Sequence, residues 1–203
     1  MTQINRDVNR VMSPDAMARI LILHATVEGQ TARIAARIAQ HLRHRGYAVD
    51  EHRAETAPAN LDLAAFDAVI VGASVHYGRH PACLLALVRK YRAALAHRHS
   101  AFFSVSLSAH SKPQAAQRYV QKFLRQAGWQ PEQAVTFAGA LPYSRYATWK
   151  RLLMRAFVGL AGGDTDASRD YEYTDWYAVD RFAEAYTRSL PPGGLLHGAD
   201  RGS

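Results

Sequence analysis

Short apolar runs alternate with amphipathic stretches along the chain. The first run, residues 20–23 (ILIL), is continuous, as expected for a strand that is buried on both faces of a sheet. Residues 31–45 place apolar side chains at helical spacing and end before Gly46, which is typical of a helix and its C-terminal stop. The same succession of strand and helix recurs further along, so the pattern predicts an α/β protein.

The remaining pattern predicts a series of further elements. They are strands at 47–52, 68–71, 101–106 and 134–141, helices at 81–95 and 113–127, then a helix at 149–160, a short strand at 171–174 and a final helix capped by Asp175. Right-handed helical crossovers join parallel strands, so we expect a doubly wound, parallel five-stranded sheet with helices on both faces. The helix at 149–160 would be an insertion that splits the last strand at the sheet edge.

Composition is that of a folded chain. Of the 203 residues, 48% are hydrophobic and 21% are charged, which excludes a disordered chain, and the lack of a long apolar run argues against a spanning helix. We expect one domain at 19–189, with disordered tails at 1–18 and 190–203. The single cysteine, Cys83, cannot form an internal disulfide, which favours a cytoplasmic setting, and we expect it to be buried.

Charge is unevenly distributed. The chain has 25 Lys and Arg against 17 Asp and Glu, a formal net charge of +8. Residues 68–163 hold 13 of the basic residues and one acidic residue, Glu132, a net charge of +12. Such a segment attracts nucleic acid, anionic lipid or an acidic small molecule, and composition does not choose among them.

Three loops follow strands at the edge of the sheet where open parallel sheets bind ligands. The first contains Thr26, Val27, Glu28, Gly29, Gln30 and Thr31. Free amide groups at a helix start, together with the helix dipole, form a phosphate site, although a plain helix N-cap by Thr26 or Thr31 would have the same sequence. The chain has neither a Walker lysine motif nor a GxGxxG, which argues against an NTPase and a classical dinucleotide fold.

The other two loops have the residues to surround a flat ring. The second contains Ser74, Val75, His76, Tyr77 and Gly78. Its aromatic side chains can stack on a ring and its amides can bond to the ring edge, but a tight crossover turn is the alternative. The third loop supplies hydroxyl partners and contains Ser106, Leu107, Ser108 and Ala109.

Six motifs together identify a family. They are TVEGQT at 26–31, GASVHYG at 72–78, AFFSV at 101–105, AGAL at 138–141, GGDTD at 162–166 and YTDW at 173–176. With them, residues 19–186 resemble flavodoxin-like proteins, and most closely the bacterial menaquinone-dependent protoporphyrinogen oxidases. The resemblance implies the strand order 2-1-3-4-5 and noncovalent FMN, held by the phosphate loop at 26–31 and ring loops at 74–78 and 106–109, with Tyr77 on the ring.

The resemblance also implies an activity. Such enzymes oxidise protoporphyrinogen IX to protoporphyrin IX through FMN and pass the electrons to a membrane quinone, at the inner face of the cell membrane. Two features depart from the family pattern: residues 111–117 are shorter and less basic, and His76 stands where the family has an arginine.

The inserted segment, residues 142–157, is both basic and apolar, a composition typical of a helix that lies on an anionic membrane surface. We expect Arg145, Lys150 or Arg151 to pair with the propionates of the porphyrinogen or to contact the membrane. The alternative is an edge helix that packs its apolar side chains on the core and leaves its cations in solvent.

Other function classes fit less well. A soluble electron carrier of the flavodoxin kind is typically acidic, and the basic segment at the ring loops opposes that. A nucleic-acid binder would leave the loop motifs unexplained, so we expect no nucleic-acid partner. A flavin quinone reductase with a nicotinamide donor is the nearest alternative. The histidine pairs His41/His44 and His97/His99 lack a completing carboxylate or thiol cluster, so we expect no metal site.

Overall fold

Five parallel strands form the central sheet in the order β2-β1-β3-β4-β5. The structure, a computed structural model, describes residues 18–141 and 170–190. Its elements are β1 (Arg19–Ala25), α1 (Gln30–His44), β2 (Ala48–Arg53), β3 (Ala68–Ser74), α2 (Ala82–Ala96), β4 (His99–Ser106), α3 (Ser108–Ser111), α4 (Pro113–Ala127), β5 (Gln133–Ala138), β6 (Ala140–Leu141), β7 (Tyr171–Glu172) and α5 (Trp176–Ser189). The expected strand order and parallel sense are confirmed.

Helices cover both faces of this sheet. Successive side chains of a strand point to opposite faces, so β1 contributes to two separate cores. Ile20 and Ile22 pack in the core beneath α1 and α5, whereas Leu21 and Leu23 pack in the core beneath α2 and α4. This double burial explains why β1 is a continuous apolar run in the sequence.

The predicted strand at 134–141 is wrong in one respect, because it is divided at Gly139. The Gly139 N–H donates to the Ser106 carbonyl at 3.2 Å, while the Gly139 carbonyl accepts from the Tyr173 N–H at 3.1 Å. The chain therefore changes its hydrogen-bonding partner at this residue. β5 stays in the parallel sheet, and β6 pairs antiparallel with β7 in a separate two-stranded sheet.

Several local predictions are confirmed and others are adjusted. Asp175 caps α5 by accepting a hydrogen bond from the Ala178 N–H at 3.0 Å. The predicted strand at 171–174 is shorter, ending at Glu172, and the third loop contains the helical turn α3. The predicted helix at 149–160 lies outside the described residues. So do the predicted tails apart from Ala18 and Leu190, and both expectations stay predictions.

Within the two described ranges, no helix combines the length and the apolar character needed to cross a membrane.

Gly72 offers a test of the packing between β3 and β4. It lies opposite Phe103 in the strand register, and a Cβ at this position would overlap the fully buried Phe103 ring. We predict that Gly72→Ala lowers the free energy of unfolding by about 1–3 kcal/mol, because overpacking a filled core forces side chains out of place. Denaturant unfolding measures the loss.

Two companion variants serve as controls. Gly139→Ala places its Cβ at ordinary contact distance from Val105, 3.5 Å, and should cost less than Gly72→Ala. In a Phe103→Leu background, Gly72→Ala should lower the free energy of unfolding by less than it does in the wild type. Equal costs for the two alanine variants, or strict additivity in the double variant, would contradict the packing explanation.

Candidate functional site

A cleft lies at the carboxyl edge of the sheet, where the loops after β1, β3 and β4 meet. It is lined by Thr26, Val27, Glu28, Gln30, Thr31, Ser74, Val75, His76, Val105, Ser106, Leu107, Gly139, Ala140 and Leu141. The structure thus brings together parts of all three loops that the sequence predicts. It adds a fourth wall, formed by residues 139–141, that sequence reasoning did not assign to the site. The strand-breaking glycine at 139 was the available signal.

The first loop presents the start of α1 to this cleft. Gly29 is the N-cap of the helix with φ of 93°, a left-handed conformation that favours glycine. Neither Thr26 nor Thr31 caps the helix by its side chain, which removes the plain N-cap alternative. Instead, Thr26 Oγ1 accepts a hydrogen bond from the Gly29 N–H at 3.0 Å and closes the loop. The helix dipole and the first-turn amides favour an anion here, and that turn carries no acidic residue.

Two buried hydroxyls in the cleft wall have no hydrogen-bond partner among the described residues. They are Thr31 Oγ1 and Ser74 Oγ, and Thr31 is only 1% exposed. Leaving a buried hydroxyl unpaired costs about 1–3 kcal/mol. Two such groups in one cleft, from loops 43 residues apart in the sequence, indicate that the cleft receives a ligand with polar atoms.

The second loop closes in a two-residue turn. His76 and Arg79 exchange backbone hydrogen bonds at 2.8 and 3.1 Å, and the residues between them, Tyr77 and Gly78, have φ of 49° and 73°. A non-glycine residue in this conformation is strained by about 1–3 kcal/mol. The Tyr77 side chain is 56% exposed at the loop tip and contacts the His76 ring edge-on, at 4.2 Å between centroids. Ser74, Val75 and His76 line the cleft, whereas Tyr77 and Gly78 do not.

The third loop contributes less than the sequence predicts. Ser106 and Leu107 line the cleft, but Ser108 and Ala109 begin α3 and do not. Ser106 Oγ accepts a hydrogen bond from the Ala109 N–H at 3.2 Å, which holds the turn between β4 and α3. The third loop therefore forms part of the cleft wall but does not present a series of serine hydroxyls to a ligand.

The YTDW motif fixes the start of α1 from a distant part of the chain. The Gln30 amide donates to Thr174 Oγ1 at 2.8 Å and to Glu172 Oε1 at 3.1 Å, and Thr174 donates in turn to the Ala138 carbonyl. Burial of the Glu172 carboxyl opposes ionisation, but hydrogen bonds from Arg33, Gln30 and Trp176 outweigh it and lower its pKa. Sequence reasoning missed this network because its members lie more than 130 residues apart.

A second cavity lies on the other side of the second loop, between α2 and α4. It is lined by Gly78, Arg79, His80, Ala82, Leu85, Tyr119, Lys122, Phe123 and Gln126. His80 Nε2 lies 2.9 Å from Ser104 Oγ, and its ring packs against the Phe102 and Phe123 rings. Burial in this aromatic setting lowers the pKa of His80 to about 4, so the ring is neutral at pH 7.

The structure also tests some of the other residues to which the sequence analysis assigned a role or a location. Arg145, Lys150 and Arg151 lie outside the described residues, and their predicted contacts stay predictions. Cys83 is exposed on the surface of α2, so the expectation that it is buried is wrong. In the described ranges no three His, Cys, Asp or Glu side chains are grouped to hold a metal ion. His41 instead pairs with Glu184 at 3.0 Å.

The flavodoxin domain family matches residues 21–168 of the chain. The chain belongs to that family. This flavodoxin domain is 33% identical over 186 residues to "Protoporphyrinogen IX dehydrogenase [quinone]" of Leishmania major, covering 86% of the chain and 78% of the relative. It is 35% identical over 172 residues to the protein of the same description in Escherichia coli strain K12, covering 81% of the chain and 92% of the relative.

Solved structures agree with the fold of the flavodoxin domain. Oxidised flavodoxin 1 from Bacillus cereus has a TM-score of 0.55 at 16% identity, covering 86% of this chain and all of the other. A short-chain flavodoxin associated with a bacterial microcompartment has a TM-score of 0.54 at 15% identity, with the same coverage. At this identity the likeness establishes the fold alone.

The buried His80 predicts a pH dependence for the stability of the flavodoxin domain. A histidine whose pKa is lower in the folded than in the unfolded chain disfavours protonation on folding. The contribution of the neutral His80 to the free energy of unfolding is therefore complete above pH 6.5 and is lost as the pH falls towards 4. We predict that His80→Phe, which keeps an aromatic ring, removes up to about 3 kcal/mol of this acid-induced loss.

Chemical denaturation at pH 7 and at pH 4.5 measures the difference for both proteins. His24 and His99, whose pKa values are also lowered by burial, are present in both and cancel. The same loss on acidification in the wild type and in His80→Phe would contradict the assignment.

Proposed function

We propose that the protein holds FMN in the cleft at the sheet edge and oxidises protoporphyrinogen IX to protoporphyrin IX, with the electrons passed to a membrane quinone. The observation that carries this proposal is the identity of 33% and 35% to two relatives described as protoporphyrinogen IX dehydrogenases [quinone], over most of each chain. The cleft geometry supports it independently, since its unpaired hydroxyls call for a ligand.

The cleft fits the polar parts of FMN. The phosphate would lie at the start of α1, against the first-turn amides and Thr31, with Thr26, Val27, Glu28, Gly29 and Gln30 shaping the loop around it. A phosphate at a helix N-terminus needs no lysine, which agrees with the absence of one in this loop. The network from Glu172 and Thr174 to Gln30 keeps the loop in place before the ligand arrives.

The ring loops would hold the flavin itself. Ser74 Oγ offers a hydrogen bond to the ring edge, and the cleft walls formed by residues 74–76 and 106–107 would bracket the ring plane. Tyr77 lies at the exposed loop tip, in contact with His76, which lines the cleft. We assign it to the flavin ring at the mouth of the cleft. FMN, when bound, supplies the electron-transfer chemistry, and the chain positions it and sets its surroundings.

The place of action follows from the proposed acceptor. A quinone with an apolar tail is dissolved in the bilayer, so the protein would work at the inner surface of the cell membrane, attached peripherally to anionic lipid. Arg145, Lys150 and Arg151 are our proposed contacts for the porphyrinogen propionates or for that lipid. Charge reversal at Lys150 and Arg151 should then weaken liposome binding.

An anaerobic reduction experiment tests the function. The purified protein should bind FMN, its flavin absorbance should bleach when protoporphyrinogen is added, and a menaquinone or ubiquinone analogue should restore it. Bleaching by a nicotinamide donor alone would establish the alternative, a flavodoxin-like NAD(P)H-quinone reductase. Reduction that only a protein electron donor can achieve would indicate a soluble FMN electron carrier. Failure to retain added FMN would exclude all three.

Thr31 provides a test with effects of opposite sign. Thr31→Val replaces an unpartnered buried hydroxyl by a methyl of the same shape, so the FMN-free protein should be as stable as the wild type or more stable. The same change removes a hydrogen bond to a charged phosphate and should weaken FMN binding about tenfold or more. Flavin fluorescence quenching measures the dissociation constant, and thermal unfolding measures stability.

Thr31→Ser is the matched control. It keeps the hydroxyl and should retain most of the FMN affinity. A parallel loss of stability and affinity in Thr31→Val would mean that the hydroxyl has a structural role, and equal affinity in both variants would remove Thr31 from the phosphate site.

A further inference from the structure

The two faces of the sheet differ in how their charges are arranged. On the face covered by α1 and α5, arginines pair with carboxylates: Arg37 with Asp180, Arg43 with Glu51 and Arg45 with Glu184. On the opposite face, α2 and α4 carry six cations and no acidic residue. These are Arg89, Lys90, Arg92, Arg118, Lys122 and Arg125. Among the described residues, the cations of α2 and α4 therefore form no ion pair, whereas these arginines of the other face do.

All six of these cations are exposed, and the two helices lie side by side. The Arg89 guanidinium on α2 donates to the Gln126 carbonyl on α4 at 2.7 Å, and Lys90 donates to the Ala59 carbonyl at 2.6 Å. A neutral carbonyl leaves the charge in place. The side chains of Arg92, Arg118 and Arg125 have no hydrogen bond or ion pair within residues 18–141 and 170–190.

We propose that this α2–α4 face is the surface by which the protein lies on an anionic membrane. The inference deepens the proposed function, on which it rests for the location of the acceptor. Each Lys or Arg near an anionic bilayer strengthens binding, and long basic side chains keep their aliphatic stems against the protein while their heads reach the lipid phosphates. Six cations on two adjacent helices form a broad contact of one sign, which matches an extended anionic surface.

A cavity lies on the same face, beside the candidate site. Leu85, Phe123 and the neutral His80 line it, together with Arg79 and Lys122. Gly78 also lines it, in the loop whose residues 74–76 line the cleft. The basic face therefore lies next to the ring loop. The membrane quinone of the proposed function favours a membrane over a nucleic acid as the partner of this face.

Vesicle sedimentation of the full-length protein tests the surface without requiring turnover. The triple variant Arg92→Gln, Arg118→Gln, Arg125→Gln should bind phosphatidylglycerol vesicles on the order of 100-fold more weakly than the wild type, about fivefold for each cation removed. Wild-type binding should fall as salt is added, and vesicles of phosphatidylcholine alone should not bind. Glutamine is a good helix former, and thermal unfolding verifies that the helices persist.

The matched control removes three cations from the other face. The triple variant Arg37→Gln, Arg43→Gln, Arg45→Gln has the same net charge and should bind vesicles much as the wild type does. Equal weakening in both triples would mean that only net charge matters, and no weakening in the first triple would exclude the face. Either result overturns the proposal. So would a first triple that loses affinity for short duplex RNA or DNA while keeping its affinity for vesicles.

A second measurement separates this inference from the proposed function. The first triple should oxidise protoporphyrinogen at the wild-type rate with a water-soluble quinone analogue and much more slowly with a quinone dissolved in vesicles. A protein that fails to turn over with any quinone, yet shows the predicted loss of vesicle binding, would disprove the proposed function and leave the membrane face established. Equal rates with the vesicle-dissolved quinone would overturn the role of the face.

Discussion

The parallel register of β1, β3 and β4 is the constraint on which the candidate site depends. Ala25 pairs with Ala73, and Ser74 pairs with Val105, so the three strands end at nearly the same level. The loops that follow them are therefore brought to one edge of the sheet. A shift of one residue would turn every side chain of a strand to the other face, and the close packing of the two separate cores opposes this. Core packing thus determines where the cleft lies.

The fourth wall and the network behind the first loop depend on a change of strand partner. At Gly139 the chain leaves β4 and takes its next hydrogen bond from the segment that precedes α5. That exchange brings Thr174 and Glu172 next to Gln30, where they hold the start of α1. The hydrogen bonds of this network offset the destabilisation by the two unpaired hydroxyls nearby. A cleft that is held in shape in this way loses little conformational entropy when a ligand binds.

Electrostatics divides the molecule along the same lines as the packing. The face of α1 and α5 neutralises its arginines with carboxylates, while the face of α2 and α4 leaves its cations free of acidic partners in the described part of the chain. The second loop lies between the cleft and the cavity that opens on the basic face. Cofactor binding and membrane contact are thus proposed for adjacent surfaces, separated by one short turn.

The sequence by itself determined the fold and the core of the site. Apolar periodicity located the five strands of the sheet, and the predicted helices at 31–45, 81–95 and 113–127 came within one residue of their observed bounds. The loop motifs predicted that Thr26, Thr31 and Ser74 share one cleft, which the structure confirms. These features depend on neighbours a few residues apart, so a local pattern carries them.

Only the tertiary structure decided the features that depend on contacts between residues far apart in the sequence. It divided the strand at Gly139, moved Tyr77 to an exposed loop tip outside the cleft wall, exposed Cys83 and joined Gln30 to a partner 142 residues away. It also gathered the cations of α2 and α4 on one face, whereas the linear sequence showed only a basic segment. A linear pattern records which residues are apolar or charged, but packing alone sets which of them meet.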